Sequence, residues 1–159
     1  MNLLLWRHAE AEDTSPDMAR VLTADGRRSA AKVARVLAKH VPSDARMLVS
    51  PAARALQTAD ALTGKSKLHF EIEPRLQPGT DLSDVLAAIE DGMHAIGAEL
   101  PWMLVVGHQP WIGQIAHRLL TGADDDWSVR KAAVWWLVRR ARNGDSSWTL
   151  RAVIDPDIV

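Results

Sequence analysis

The sequence predicts an α/β fold: a three-layer α/β/α sandwich with a mostly parallel central sheet and a C-terminal antiparallel edge hairpin. Three observations carry this reading. Short continuous apolar runs at Asn2–Trp6, Met47–Val49 and Trp102–Val106 have the character of strands covered on both faces. Stretches of helical periodicity separate them, giving the order β-α-β-α-β-α-β-α-β-β. Finally, Ala132–Val138 and Trp148–Ile154 flank Asn143-Gly144, a hairpin turn signal.

Each element has its own local cause. Residues 9–22 are polar and irregular and read as a loop. Thr23 can cap a helix, with Asp25 favourable in its first turn. Val33, Ala34, Leu37 and Val41 share one face of that helix, and Pro42-Ser43 ends it. After Met47–Val49, Ser50-Pro51 reads as a helix start, with serine as N-cap and proline at the first helical position. Ala55, Leu56, Ala59 and Leu62 form the core face, and Gly64 stops it. Leu68–Glu73 alternates apolar and polar residues, the pattern of a more exposed strand. Asp81–Leu100 carries Leu82, Val85, Leu86, Ile89, Met93 and Ile96 at helical spacing. Beyond Trp102–Val106, Gly107-His108-Gln109 turns the chain and Pro110 opens a helix that Gly122 ends. Trp135 and Trp136, adjacent in a strand, must point to opposite faces.

The bulk numbers bound the class. A chain of 159 residues, 47% hydrophobic and 25% charged, suits one globular domain spanning 1–159. The net charge of −1 suggests neither nucleic acid nor an anionic membrane as partner. With no cysteine there are no disulfides, thiolate metal ligands or cysteine nucleophile. The first apolar run is too short for a signal peptide and follows no basic segment, so a cytoplasmic location is expected.

Three places share one property. Arg7-His8 follows the first strand, Ser50-Pro51-x-x-Arg54 the second, and Gly107-His108 the fourth. Ligands of open α/β sheets bind beyond the carboxyl ends of the strands, so these residues should converge at one edge. Arg54 lies in the first turn of its helix, whose N-terminus favours an anion. Two arginines and two histidines there suit a compact dianion such as a phosphoryl group. A histidine in such a cationic pocket is held neutral, with a lone pair free to act as nucleophile.

Leu5-Trp6-Arg7-His8-Ala9-Glu10 resembles the Arg-His-Gly/Ala-Glu signature of the histidine phosphatase (phosphoglycerate mutase-like) superfamily. Ser50-Pro51-Ala52-Ala53-Arg54-Ala55-Leu56-Gln57-Thr58-Ala59 resembles its Ser-Pro-x-x-Arg-x-x-Gln-Thr-Ala segment, and Val105–Pro110 its second-histidine motif. The short chain, Arg20-Val21-Leu22-Thr23-x-x-Gly26 and Gln77-Pro78-Gly79 look like the SixA-type phosphohistidine phosphatases. The resemblance implies His8 as the nucleophile that becomes phosphohistidine, with Arg7, Arg54 and His108 binding the phosphoryl group. Arg20 is a further candidate for substrate contact. It also implies a phosphorylated substrate, a phosphohistidine protein or a small molecule. Metal and cofactor are not expected.

One departure bears on the substrate. Mutases and many phosphomonoesterases of the superfamily place an acidic residue after the third strand. Here that region reads Pro74-Arg75-Leu76-Gln77-Pro78-Gly79-Thr80-Asp81, with no glutamate, and Asp81 is better assigned to helix capping. An alkoxide leaving group needs a proton, whereas the imidazole of a phosphoramidate departs more readily. The expected activity is therefore hydrolysis of phosphohistidine in proteins. The alternatives are a small-molecule phosphomonoesterase and a non-catalytic phosphate-binding module.

Overall fold

The computed structural model describes residues 1–94, 102–142 and 145–159. Six strands, β1 (Asn2–Arg7), β2 (Arg46–Val49), β3 (Glu71–Ile72), β4 (Trp102–Gly107), β5 (Val134–Arg142) and β6 (Asp145–Ile154), form one sheet ordered β3-β2-β4-β1-β5-β6. The β3-β2-β4-β1 part is parallel. β5 runs antiparallel to β1 and β6 antiparallel to β5, adding the expected hairpin at one edge. Its turn at Asn143-Gly144 lies outside the described residues.

The alternation of side chains along each strand builds two cores. Leu4, Trp6, Met47, Val49, Leu104 and Val106 face one way. They pack on α1 (Ala24–His40) and α2 (Ala53–Thr63) through Val33, Ala34, Leu37, Ala55, Ala59 and Leu62. Leu3, Leu5, Leu48, Met103 and Val105 face the other way, onto α3 (Leu82–His94) and α4 (Trp111–Thr121) through Val85, Ala88, Ile89, Ile112 and Ile115. Trp136 joins the first core and Trp135 the second, so the pair does diverge. Leu4 and Leu5 are completely buried, and a side chain of that size contributes about 1.5–3 kcal/mol on burial. The three-layer sandwich follows from this two-sided burial.

Three local expectations change. The strand expected over Leu68–Glu73 shrinks to Glu71–Ile72, paired only with Leu48 and Val49 of β2. At this sheet edge Ile72 stays exposed while Leu68 is buried without entering the ladder. Proline 74 then ends any further pairing. The helix expected over Asp81–Leu100 is described as Leu82–His94, and residues 95–101 lie outside the described residues. The third change concerns Ser50, which does not cap α2. That helix starts at Ala53 with Ala52 as its N-cap.

Other caps hold. Thr23 Oγ1 accepts the Gly26 N–H at 2.9 Å and opens α1. Gly26 itself is required, because a Cβ there would collide with the Glu10 carbonyl. Gly122 closes α4 with φ of 76°. Among the described residues, no helix is long and apolar enough to cross a membrane.

Candidate active site

The carboxyl ends of β1, β4 and β2 finish level. Arg7 pairs with Gly107, and Val49 with Val106. The residues that follow are tied across the strand ends. The His8 N–H donates to the Gly107 carbonyl at 2.9 Å, and the Ser50 N–H to the Val106 carbonyl at 3.0 Å. His8, His108 and Arg54 therefore meet, as the strand-end argument requires. The two imidazole rings lie 5.0 Å apart, and Arg54 Nε donates to His8 Nε2 at 3.3 Å. His108 and Arg54 are buried, whereas His8 and Arg7 remain partly accessible.

His8 is oriented from both sides of its ring. Nδ1 lies 2.7 Å from the carbonyl oxygen of Ala9. That oxygen can only accept, so the proton sits on Nδ1 and the lone pair on Nε2. Burial, opposed by the Ala9 hydrogen bond and reinforced by the Arg54, Arg7 and Arg20 charges, lowers the His8 pKa from 6.5 to about 4. The ring is neutral at physiological pH. Burial first, then the neighbouring His8 and Arg54, pushes His108 further down still.

Arg7 donates through a terminal nitrogen to the Val129 carbonyl at 2.6 Å, which fixes it beside β1. Its Nε is buried without a partner among the described residues. An open cavity of about 340 Å³ adjoins Arg7, lined also by Ser29, Ser128 and Lys131. A larger cavity of about 550 Å³ lies beside Arg46 and His69, at the amino end of β2 and away from these histidines.

The Gln57-Thr58 pair explains itself in the structure. Thr58 Oγ1 donates to the Arg54 carbonyl at 2.7 Å and accepts the Ala9 N–H at 3.0 Å. Gln57 Oε1 accepts the Leu22 N–H at 2.7 Å. One helix turn thus pins Arg54, the segment after His8, and the loop leading to α1.

That loop supplies a residue the sequence reading missed. Asp17 Oδ2 pairs with Arg54 at 3.0 Å, and the Asp17 carbonyl accepts from the other terminal nitrogen at 2.8 Å. Arg20 does not reach the histidines. It donates to Asp17 Oδ1 at 3.1 Å and to the Glu12 carbonyl at 2.7 Å, joining the site through Asp17. Hydrogen bonds from Arg20 and then Arg54 hold the Asp17 carboxyl below its ordinary range, so it is ionised. Its three-residue spacing from Arg20 was the available signal. Asp81 stays out of this network, and its carbonyl accepts the first α3 amides from Asp84 and Val85. Among the described residues, no group of three or more His, Asp or Glu side chains could hold a metal ion.

Residues 3–78 match the model of the histidine phosphatase superfamily (branch 1). Together with the fold and the site, this match over just under half of the chain makes it similar to the histidine phosphatase superfamily. No curated protein matches it. Among solved structures, the protein histidine phosphatase SixA complexed with tungstate superposes with a TM-score of 0.82 at 25% identity, covering 99% of each chain. A protein from Nakamurella multipartitia assigned as a SixA phosphohistidine phosphatase gives 0.74 at 29% identity, over 98% of this chain and 95% of that one. A third with the same assignment, from Agrobacterium tumefaciens, gives 0.77 over 98% and 97% at 21% identity, a likeness of fold. The sheet and four helices are those of the phosphoglycerate mutase-like fold.

Proposed function

We propose that residues 1–159 form one catalytic domain, a metal-independent cytoplasmic phosphatase that removes the phosphoryl group from phosphohistidine in proteins. The observation that carries this reading is the neutral His8, its Nε2 lone pair held beside Arg54 with Nδ1–H bound to Ala9. Nε2 attacks phosphorus as the P–N bond of the substrate breaks, and the departing imidazole takes its proton from solvent. Water then attacks phospho-His8, the P–Nε2 bond breaks, and inorganic phosphate leaves. Arg7, Arg54 and His108 hold the phosphoryl oxygens through both steps.

The carboxylate beside the site favours a phosphoramidate over an alkyl phosphate. Asp17 is ionised by its two arginine partners and has no proton to give an alkoxide. Access agrees with a macromolecular substrate, since His8 is partly accessible and the loop bearing Asp17, Met18 and Val21 is exposed. The 25% and 29% identical SixA structures support the same substrate class.

The test compares a phosphohistidine protein with a panel of phosphomonoesters, each with and without a chelator. Preference for the phosphohistidine protein, unchanged by chelation, is expected. Faster turnover of a sugar phosphate would assign the chain to small-molecule phosphomonoesterases. Loss of activity on chelation would overturn metal independence.

A further inference from the structure

We propose that Ser50 is a positioning residue that locks His108 as its Nδ1–H tautomer, so that this second histidine serves as a hydrogen-bond donor to the phosphoryl group. This rests on the phosphatase reading above and deepens it. Ser50 Oγ lies 2.7 Å from His108 Nε2, and both side chains are buried. The same oxygen accepts the Ala52 N–H at 3.3 Å. These are its two side-chain hydrogen bonds among the described residues.

The two tautomers leave different orphans. If Ser50 donates to Nε2, the hydroxyl hydrogen has an acceptor, and the ring proton sits on Nδ1. If Nε2–H donates instead, the buried hydroxyl hydrogen is left without an acceptor, which is costly in a dry interior. Nδ1 is itself buried and has no partner among the described residues. A phosphoryl group offers only acceptor oxygens at neutral pH. An Nδ1–H complements them, whereas an Nδ1 lone pair would repel them. His108 is neutral, so its tautomer decides which of these it presents. The Ser-Pro pair after β2 thus serves the site rather than the helix start. Its hydroxyl stands to His108 as an orienting partner stands to a catalytic histidine.

The experiment is long-range 1H–15N NMR of the full chain labelled with 15N-histidine at neutral pH. His108 is assigned by comparison with His108→Gln. The wild-type spectrum should show a protonated Nδ1 and an unprotonated Nε2. In Ser50→Ala the ring should shift toward the Nε2–H form. Inorganic phosphate should bind more weakly to that variant, and kcat/KM on phosphohistidine protein should fall on the order of 10- to 100-fold, the scale of losing an orienting partner. An Nε2–H tautomer in the wild type overturns the proposal, and that result requires no variant to fold. An Nδ1–H tautomer unchanged in Ser50→Ala also overturns it. Absence of turnover by the wild type, with the tautomers as expected, would instead count against the phosphatase reading alone.

Discussion

Arg54 donates from Nε to Nε2 of His8 across 3.3 Å, while its two terminal nitrogens go to the carboxylate and carbonyl of Asp17. One buried guanidinium therefore touches both the His8 Nε2 lone pair and the Asp17 carboxylate. The planar fork makes this possible, because each nitrogen is aimed separately. Lysine at this position would keep the charge and lose the geometry. Arg54→Lys should lower kcat/KM by about 100-fold or more, the cost of one aimed donor at developing charge. Steady-state kinetics check this, with thermal unfolding to exclude loss of fold. Activity near the parent level would show that charge alone suffices.

The neutral state of His8 has a measurable consequence. Its folded pKa of about 4 lies below the ordinary 6.5. Between those values the unfolded chain takes up a proton that the folded chain does not. Stability from this group is therefore complete above pH 6.5 and is lost as pH falls toward 4. An NMR titration of the His8 ring should show no midpoint near 6.5 and a transition near 4. An ordinary midpoint would mean that burial and the arginines do not depress it.

Asp17 occupies two donors of Arg54 that a phosphoryl group would also use. Asp17→Asn removes a negative charge beside the anion site. The half-exposed position limits the effect, so inorganic phosphate should bind about 2- to 5-fold more tightly. Isothermal titration calorimetry measures it. Weaker binding would show that Asp17 chiefly holds Arg54 in place.

Thr58 bridges two backbones in a buried position. Thr58→Val keeps the shape but leaves the buried Ala9 N–H without its acceptor. The expected loss is about 1–3 kcal/mol. For a chain of this length the melting temperature falls by roughly 2–4 °C per kcal/mol. Calorimetry checks it, and an unchanged melting temperature would mean that the Ala9 amide finds another acceptor.

Much of this site was legible because strand ends are legible. Asn2–Trp6, Met47–Val49 and Trp102–Val106 are nearly continuous apolar runs, and each is followed within two residues by a residue of the site: Arg7, Ser50 and His108. Knowing that parallel strands end on one side brings Arg7, His8, Arg54 and His108 together without coordinates. Side-chain partnership was less legible. Ser50 reads as a helix cap because serine before proline commonly is one, yet its hydroxyl lies 2.7 Å from the ring of His108, 58 residues away. Asp17 opens a single 3-10 turn, Asp17–Ala19, in a connection whose path no periodicity describes, and contacts such as the one from Gln57 to Leu22 hold that connection near Arg54. The strand at Leu68–Glu73 failed for a related reason. Alternation there records that Leu68 is buried, which at a sheet edge does not require a ladder.

In the proposed reaction His8 Nε2 becomes phosphorylated during turnover. Rapid mixing with a phosphohistidine protein, alkaline quench and peptide mass spectrometry measures this directly. An acid-labile phosphoryl group on His8 is expected in the wild type, and neither that adduct nor turnover in His8→Ala. Hydrolysis by His8→Ala at the parent rate would contradict the proposed reaction.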